Sequence, residues 1–231
     1  MPDKNRKTVS ARGHRARLRR RFADAGVRGL LDYEALELLL TFARPRIDTK
    51  PVAKALLKRF GGLWGVFGAS EDELQEVDGV GPRAAGLLVL MRELCAACLR
   101  EGLRKRDVLA SPSALVDYAR IALAARPHET VLALFLDARR EVLGEEMVGE
   151  GTVNQASVFP RRVIERALAR KAAGIVLMHN HPGGRAEPGA EDDLLTRRLK
   201  SAAEAVEIRL LDHLIVAREG CYSYRENGLL G

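Results

Sequence analysis

Cysteine is scarce, with three in 231 residues. That is too few for a closed disulfide framework and in keeping with a reducing compartment. Cys95-Ala-Ala-Cys98 spells a CxxC, but no second CxxC and no nearby histidine completes a metal set. The pair sits in an apolar helical pattern and reads as packing. Long hydrophobic runs are missing too. No apolar stretch suits a bilayer, and the basic residues 1–21 are not followed by the apolar segment of a signal peptide. The expectation is a soluble, cytoplasmic protein with no membrane partner. Gly61-Gly62-Leu63-Trp64-Gly65 lacks the Lys-Ser/Thr of a phosphate-binding loop and reads as a helix-ending turn. The His-x-Glu and Pro-Cys-x-x-Cys set of a zinc deaminase is absent, and no internal repeat is visible.

Charge, by contrast, is plentiful and uneven. Residues 1–106 carry 22 Lys/Arg against 13 Asp/Glu, whereas residues 107–231 carry 16 against 18, so the whole net charge of +7 comes from the first part. A basic field confined to one half makes nucleic acid the first candidate partner. Residues 1–21 read as a solvated basic arm, with a helix beginning near His14.

Apolar periodicity predicts helices over 32–42, 49–60, 70–76 and 82–99, with Ser70 and Glu73 as a capping box. The charged, aperiodic segment 100–107 marks a boundary, giving an all-helical domain 1–106 and a second domain 107–231. In the second domain, helices are predicted over 112–125, 160–171 and 190–205. Strands are expected over 130–136, 141–148, 173–178 and 208–216, with a last one at 222–224. Such alternation indicates an α/β sandwich around a mixed sheet.

Chemistry concentrates at Met178-His179-Asn180-His181-Pro182. Two histidines one residue apart at the end of a strand project their imidazoles to the same side. Asp192, eleven positions after His181, can return to that point across a Gly/Pro-rich loop. Two neutral nitrogens and one anionic oxygen suit one zinc-like ion per chain that keeps a fourth position for water. Asn180 faces the other way and is expected to fix the turn. His213, flanked by apolar strand residues, is expected to be a satisfied core histidine, with a place behind the metal ligands as the alternative.

In the first domain, the run from Leu74 through Asp78-Gly79-Val80-Gly81-Pro82-Arg83 to Leu87 resembles a helix-hairpin-helix. Gly79, Val80 and Gly81 would let the backbone approach a phosphate, at the positive end of the second helix and within reach of Arg83. Sequence-independent DNA binding is the functional reading, and a packing or protein-docking hairpin is the alternative.

His179-x-His181-Pro182 followed by Asp192 resembles the JAMM (MPN-plus, JAB) metalloprotease signature. Adding Gly151-Thr152-Val153, Thr196-Arg197-Arg198-Leu199 and Leu211-Asp212-His213-Leu214-Ile215-Val216, nearly the whole chain resembles the bacterial RadC family. The resemblance implies a JAB/MPN-like, cytidine-deaminase-like α/β fold. It also implies hydrolysis of a peptide or isopeptide bond, in a protein associated with DNA repair. It places the catalytic base at Glu129, before the strand starting at Thr130, with Glu141, Glu145, Glu146 and Glu150 as competitors. The JAMM serine would fall at residue 189, where this chain has Gly189, and the family's serine after His-Asn-His-Pro is Gly183 here. Two rival functions stay open: a metal-dependent nuclease, and a non-catalytic JAB scaffold.

Overall fold

A computed structural model describes residues 4–104, 106–123, 126, 128–151, 158–182, 184–217 and 220–230, with side chains from Gly13 onward. Contacts divide the chain into two units, Met1–Met91 and Arg92–Gly231. The division falls earlier than the charged 100–107 segment, because Leu99, Leu103 and Val108 already pack into the second unit's core.

The first unit is helical: α1 (Lys4–Ala25), α2 (Asp32–Ala43), α3 (Lys50–Phe60), α4 (Leu63–Gly68), α5 (Glu71–Gln75) and the start of α6 (Pro82–Leu103). Its core joins Leu36, Leu40, Leu56, Leu74, Val80 and Leu88. The basic N-terminal segment is a helix rather than an arm. Two buried acids on α2 recruit it: Glu34 accepts a bidentate pair from Arg21 at 2.9 and 2.6 Å, and Glu37 lies 3.0 Å from His14. A carboxylate taken out of water needs such a partner. The expected capping box is present at α5, where the Glu73 N–H donates to Ser70 Oγ and the Ser70 N–H donates to Glu73. Gly61, in the left-handed region at φ 75°, ends α3. Cys95 and Cys98 are exposed, not packed. Among the described residues, the first core's share of α6 ends at Val89 and the second's begins at Leu99, with neither core's members in the turns between them.

The second unit is a mixed sheet between two helical layers. Its strands are β1 (Thr130–Leu136), β2 (Val142–Glu150), β3 (Gly174–His181), β4 (Arg209–Ala217) and β5 (Gly220–Ser223), in the order β2-β1-β3-β4-β5. Among the described strands β3 and β4 run parallel, joined through α9 (Ala190–Glu204), and the other neighbours run antiparallel. Period-two alternation sorts the side chains. Leu132, Leu134, Val176 and Met178 face α7 (Pro112–Leu123). Val131, Phe135, Ile175 and Leu177 face α8 (Pro160–Ala169) and α9. The end of the 112–125 helix, together with Thr152, Val153 and Gly183, lies outside the described residues. Among the described residues, no helix is long and apolar enough to cross a membrane.

Candidate metal centre

The histidine strand continues through both histidines, so His179 and His181 inherit the alternation of β3 and lie on the same face as Ile175 and Leu177, beneath α9. β1 runs antiparallel beside it with Val131 opposite His179. Glu129, two residues before Val131, therefore falls on that face as well. Asp192 enters from the first turn of α9, which packs on the same layer. Glu129, His179, His181 and Asp192 bring one ligand atom each to within 4.8 Å of one another.

The distances separate the two carboxylates. Asp192 reaches both rings, at 3.1 Å from His179 Nε2 and 3.4 Å from His181 Nε2, while Glu129 stays 4.0 Å from His179 Nε2. Asn180, on the opposite face of β3, accepts from the Thr130 N–H at 2.8 Å and donates to the Arg126 and His128 carbonyls at 3.2 Å each. It fixes not its own turn but the chain leading into β1, and with it the place of Glu129.

Hydrogen-bond bookkeeping shows what the centre lacks. The two Nε2 atoms face each other at 2.8 Å. His181 Nδ1 lies 3.1 Å from the Arg185 carbonyl, which can only accept, so that nitrogen carries the proton. A neutral His181 then presents a bare Nε2, and the carboxylates add only acceptors. His181 Nε2 and the two carboxylates thus bring lone pairs together beside His179 Nε2, an arrangement that a positive centre relieves. The Asp192 hydrogen bond holds the His181 pKa above its ordinary value. Burial pushes the Asp192 carboxyl up, but its bonds to His179 and His181 outweigh this and hold it well below the carboxylate range. Burial raises the Glu129 pKa, with the two histidines opposing. These groups match the preferences of a divalent cation with mixed N/O ligands.

Residues 109–229 match the family of RadC-like JAB domains. A UPF0758 protein of Methylibium petroleiphilum is 42% identical over 214 residues, spanning 93% of this chain and 96% of that relative. The chain belongs to the RadC family.

Within the RadC-like domain, Gly189 precedes α9 and its N–H donates to Asp192 Oδ2 at 2.8 Å. His213 is a satisfied core histidine, as expected, but one of its partners is His179 itself, at 2.8 Å between His213 Nε2 and His179 Nδ1. Thr196, which sequence reasoning assigned no role, completes that contact: its Oγ1 is 2.7 Å from His213 Nδ1. Outside the RadC-like domain, Gly79 adopts φ +85°, and a Cβ there would meet Val52 Cγ2 at 2.8 Å, so glycine is required. Gly81 has neither constraint, and Val80 is a core residue. Gly79, Val80, Gly81 and Arg83 line an open hollow of about 980 Å³ together with Arg44 and Arg46, which the sequence reading did not single out. Arg44 donates to the Gly79 carbonyl and Arg15 to those of Pro45 and Ile47, so internal contacts hold both walls.

Proposed function

We propose that this RadC-family chain is a zinc-dependent hydrolase acting on a peptide or isopeptide bond, and that its N-terminal unit binds DNA without regard to sequence. The observation that carries the first part is the convergence of the His179 and His181 Nε2 atoms on the Asp192 carboxylate, with a second, partly buried carboxylate one step further out. His179, His181 and Asp192 hold the ion. Zinc, when bound, supplies Lewis acidity and a water whose pKa is drawn toward neutrality. Glu129, too distant to share the ring contacts of Asp192, takes the proton from the attacking water and returns it to the leaving amine. Asn180 keeps that carboxylate in register with β3.

Zinc titration with a competing chelator is expected to give one equivalent per chain, with affinity falling between about pH 8 and about pH 5. The sign follows from competition. The proton on His181 occupies the lone pair that zinc needs, and the raised pKa brings that proton in above the ordinary histidine range. Absence of zinc uptake, or an affinity flat across that window, removes the metal reading.

For DNA, the supporting observation is the hollow where Arg44, Arg46 and Arg83 meet the Gly79–Gly81 turn at the start of the 22-residue helix α6. Backbone phosphate contacts predict binding to duplexes of any sequence that weakens steeply with salt. Arg83→Ala in the full chain is expected to lessen the salt slope by about one. Salt-independent binding, or a slope unchanged in Arg83→Ala, counts against this site.

A further inference from the structure

His179 can serve as a ligand through Nε2 only if its proton resides on Nδ1, and a neutral imidazole does not choose between the two by itself. A chain of buried contacts makes that choice here. It starts at the Asp192 main-chain carbonyl, which lies 2.6 Å from Thr196 Oγ1. A carbonyl brings no proton, and the neighbouring Tyr224 hydroxyl has given its own to Asp193, so both can only accept and the Thr196 proton goes to them and not to His213. The Thr196 oxygen, its single proton spent, then accepts from His213 Nδ1 at 2.7 Å. A neutral His213 with its proton on Nδ1 offers a lone pair at Nε2, and 2.8 Å away stands His179 Nδ1, which must donate. His179 Nε2 is thereby left bare, facing His181 and Asp192.

The wire is held on every side. His213 is fully buried and Thr196 and His179 nearly so. Tyr224 stacks on the His213 ring, with centroids 5.0 Å apart and planes 9° from parallel, and its hydroxyl donates to Asp193 on α9 at 2.8 Å. The His213 main-chain N–H donates to Asp212, whose other oxygen accepts from Ser223. A flip of the His213 ring, which would put a carbon where each nitrogen stands, is thus opposed by the stacking and by its two ring hydrogen bonds.

We propose that His213, set by Thr196, is a positioning residue that fixes the tautomer and ring orientation of His179, so that Asp192 supports the centre twice: through its carboxylate directly and through its main-chain carbonyl by way of Thr196 and His213. A metal-bound histidine commonly donates its second N–H to a carboxylate or carbonyl; here the acceptor is a second imidazole, whose own proton has to be placed before it can accept. The proposal rests on the metal-binding reading of the site, and the test separates the two.

The experiment uses the full chain. Chelator-competition titration with zinc alone is read beside a long-range ¹H–¹⁵N spectrum of the metal-free, histidine-labelled protein. His213→Leu removes the acceptor and is expected to lower zinc affinity about 10–100-fold. His213→Gln, whose amide oxygen accepts from His179 while its nitrogen donates to Thr196, restores affinity to within a few-fold of wild type. Thr196→Val, nearly isosteric, releases the His213 tautomer and is expected to fall between them. The spectrum is expected to show His179 protonated at Nδ1 in wild type, and a mixture of tautomers in Thr196→Val. Wild-type zinc affinity in folded His213→Leu and Thr196→Val overturns the proposal, as does a His179 protonated at Nε2 in wild type. If wild type takes up no zinc, the metal reading falls instead, and the nitrogen spectrum still decides the wiring.

Discussion

Glu129→Gln is expected to lower turnover on fluorogenic peptide and ε-lysyl isopeptide probes by about 10²–10⁴-fold, the usual worth of a positioned general base. Zinc affinity should change far less. The geometry motivates the split: Asp192 lies 3.1 and 3.4 Å from the two ring nitrogens, whereas Glu129 is 4.0 Å from the nearer one. Glutamine keeps the shape and removes only the capacity to take a proton. Burial raises the Glu129 pKa in the absence of a cation and a bound cation lowers it; the proposed base works deprotonated, so activity is expected to fall as pH drops through its value. With zinc kept saturating, so that its loss through His181 protonation does not intrude, the acid limb carried by Glu129 should vanish in the residual activity of Glu129→Gln. Turnover in the variant equal to wild type, or an acid limb that persists unchanged, would assign the base elsewhere. A variant that loses zinc together with turnover would recast Glu129 as a ligand.

How far the letters alone reach can be seen in particular residues. His179 and His181 were legible because period-two alternation is local: one strand end suffices to put both rings on one side. Asp192 was legible through its spacing and the helix it opens. Glu129 needed more, since only the antiparallel pairing of Val131 with His179 puts it on the same face. Strand pairing is a long-range fact that composition does not encode. The same holds for His213, whose approach to His179 depends on parallel β3–β4 pairing with a register shift at Ile175/Val176. Its apolar neighbours correctly indicated burial and could not indicate a partner. The part of helix α1 before His14 was misread as an arm because its charges dominate the pattern, while the reason the helix docks is carried by Glu34 and Glu37 on a different helix. Cys95 and Cys98 failed in the opposite direction: the apolar letters of α6 continue past the part that either core covers.

Gly189→Ser is expected to raise kcat by about 10²–10³-fold with little change in KM, the reverse of deleting one oxyanion donor. The backbone is ready for the change. Gly189 sits at φ −91°, ψ 171°, open to any residue. A Cβ built there lies 3.5 Å from Asp192 Oδ2, an ordinary contact, and meets nothing closer. Serine is also favoured over glycine in front of a helix by a few tenths of a kcal/mol, so no loss of fold is expected. Gain in kcat alone is the signature of an interaction formed with the developing oxyanion and not with bound substrate. The hydroxyl has a competing destination, because Asp192 is the nearest acceptor. If it is consumed there, the variant will gain a little thermal stability and no turnover. That outcome, in a protein whose zinc affinity is unchanged, would mean that glycine at 189 is not what limits the reaction, and a scaffold that holds metal without hydrolysing anything becomes the better account of the RadC-like domain in this chain.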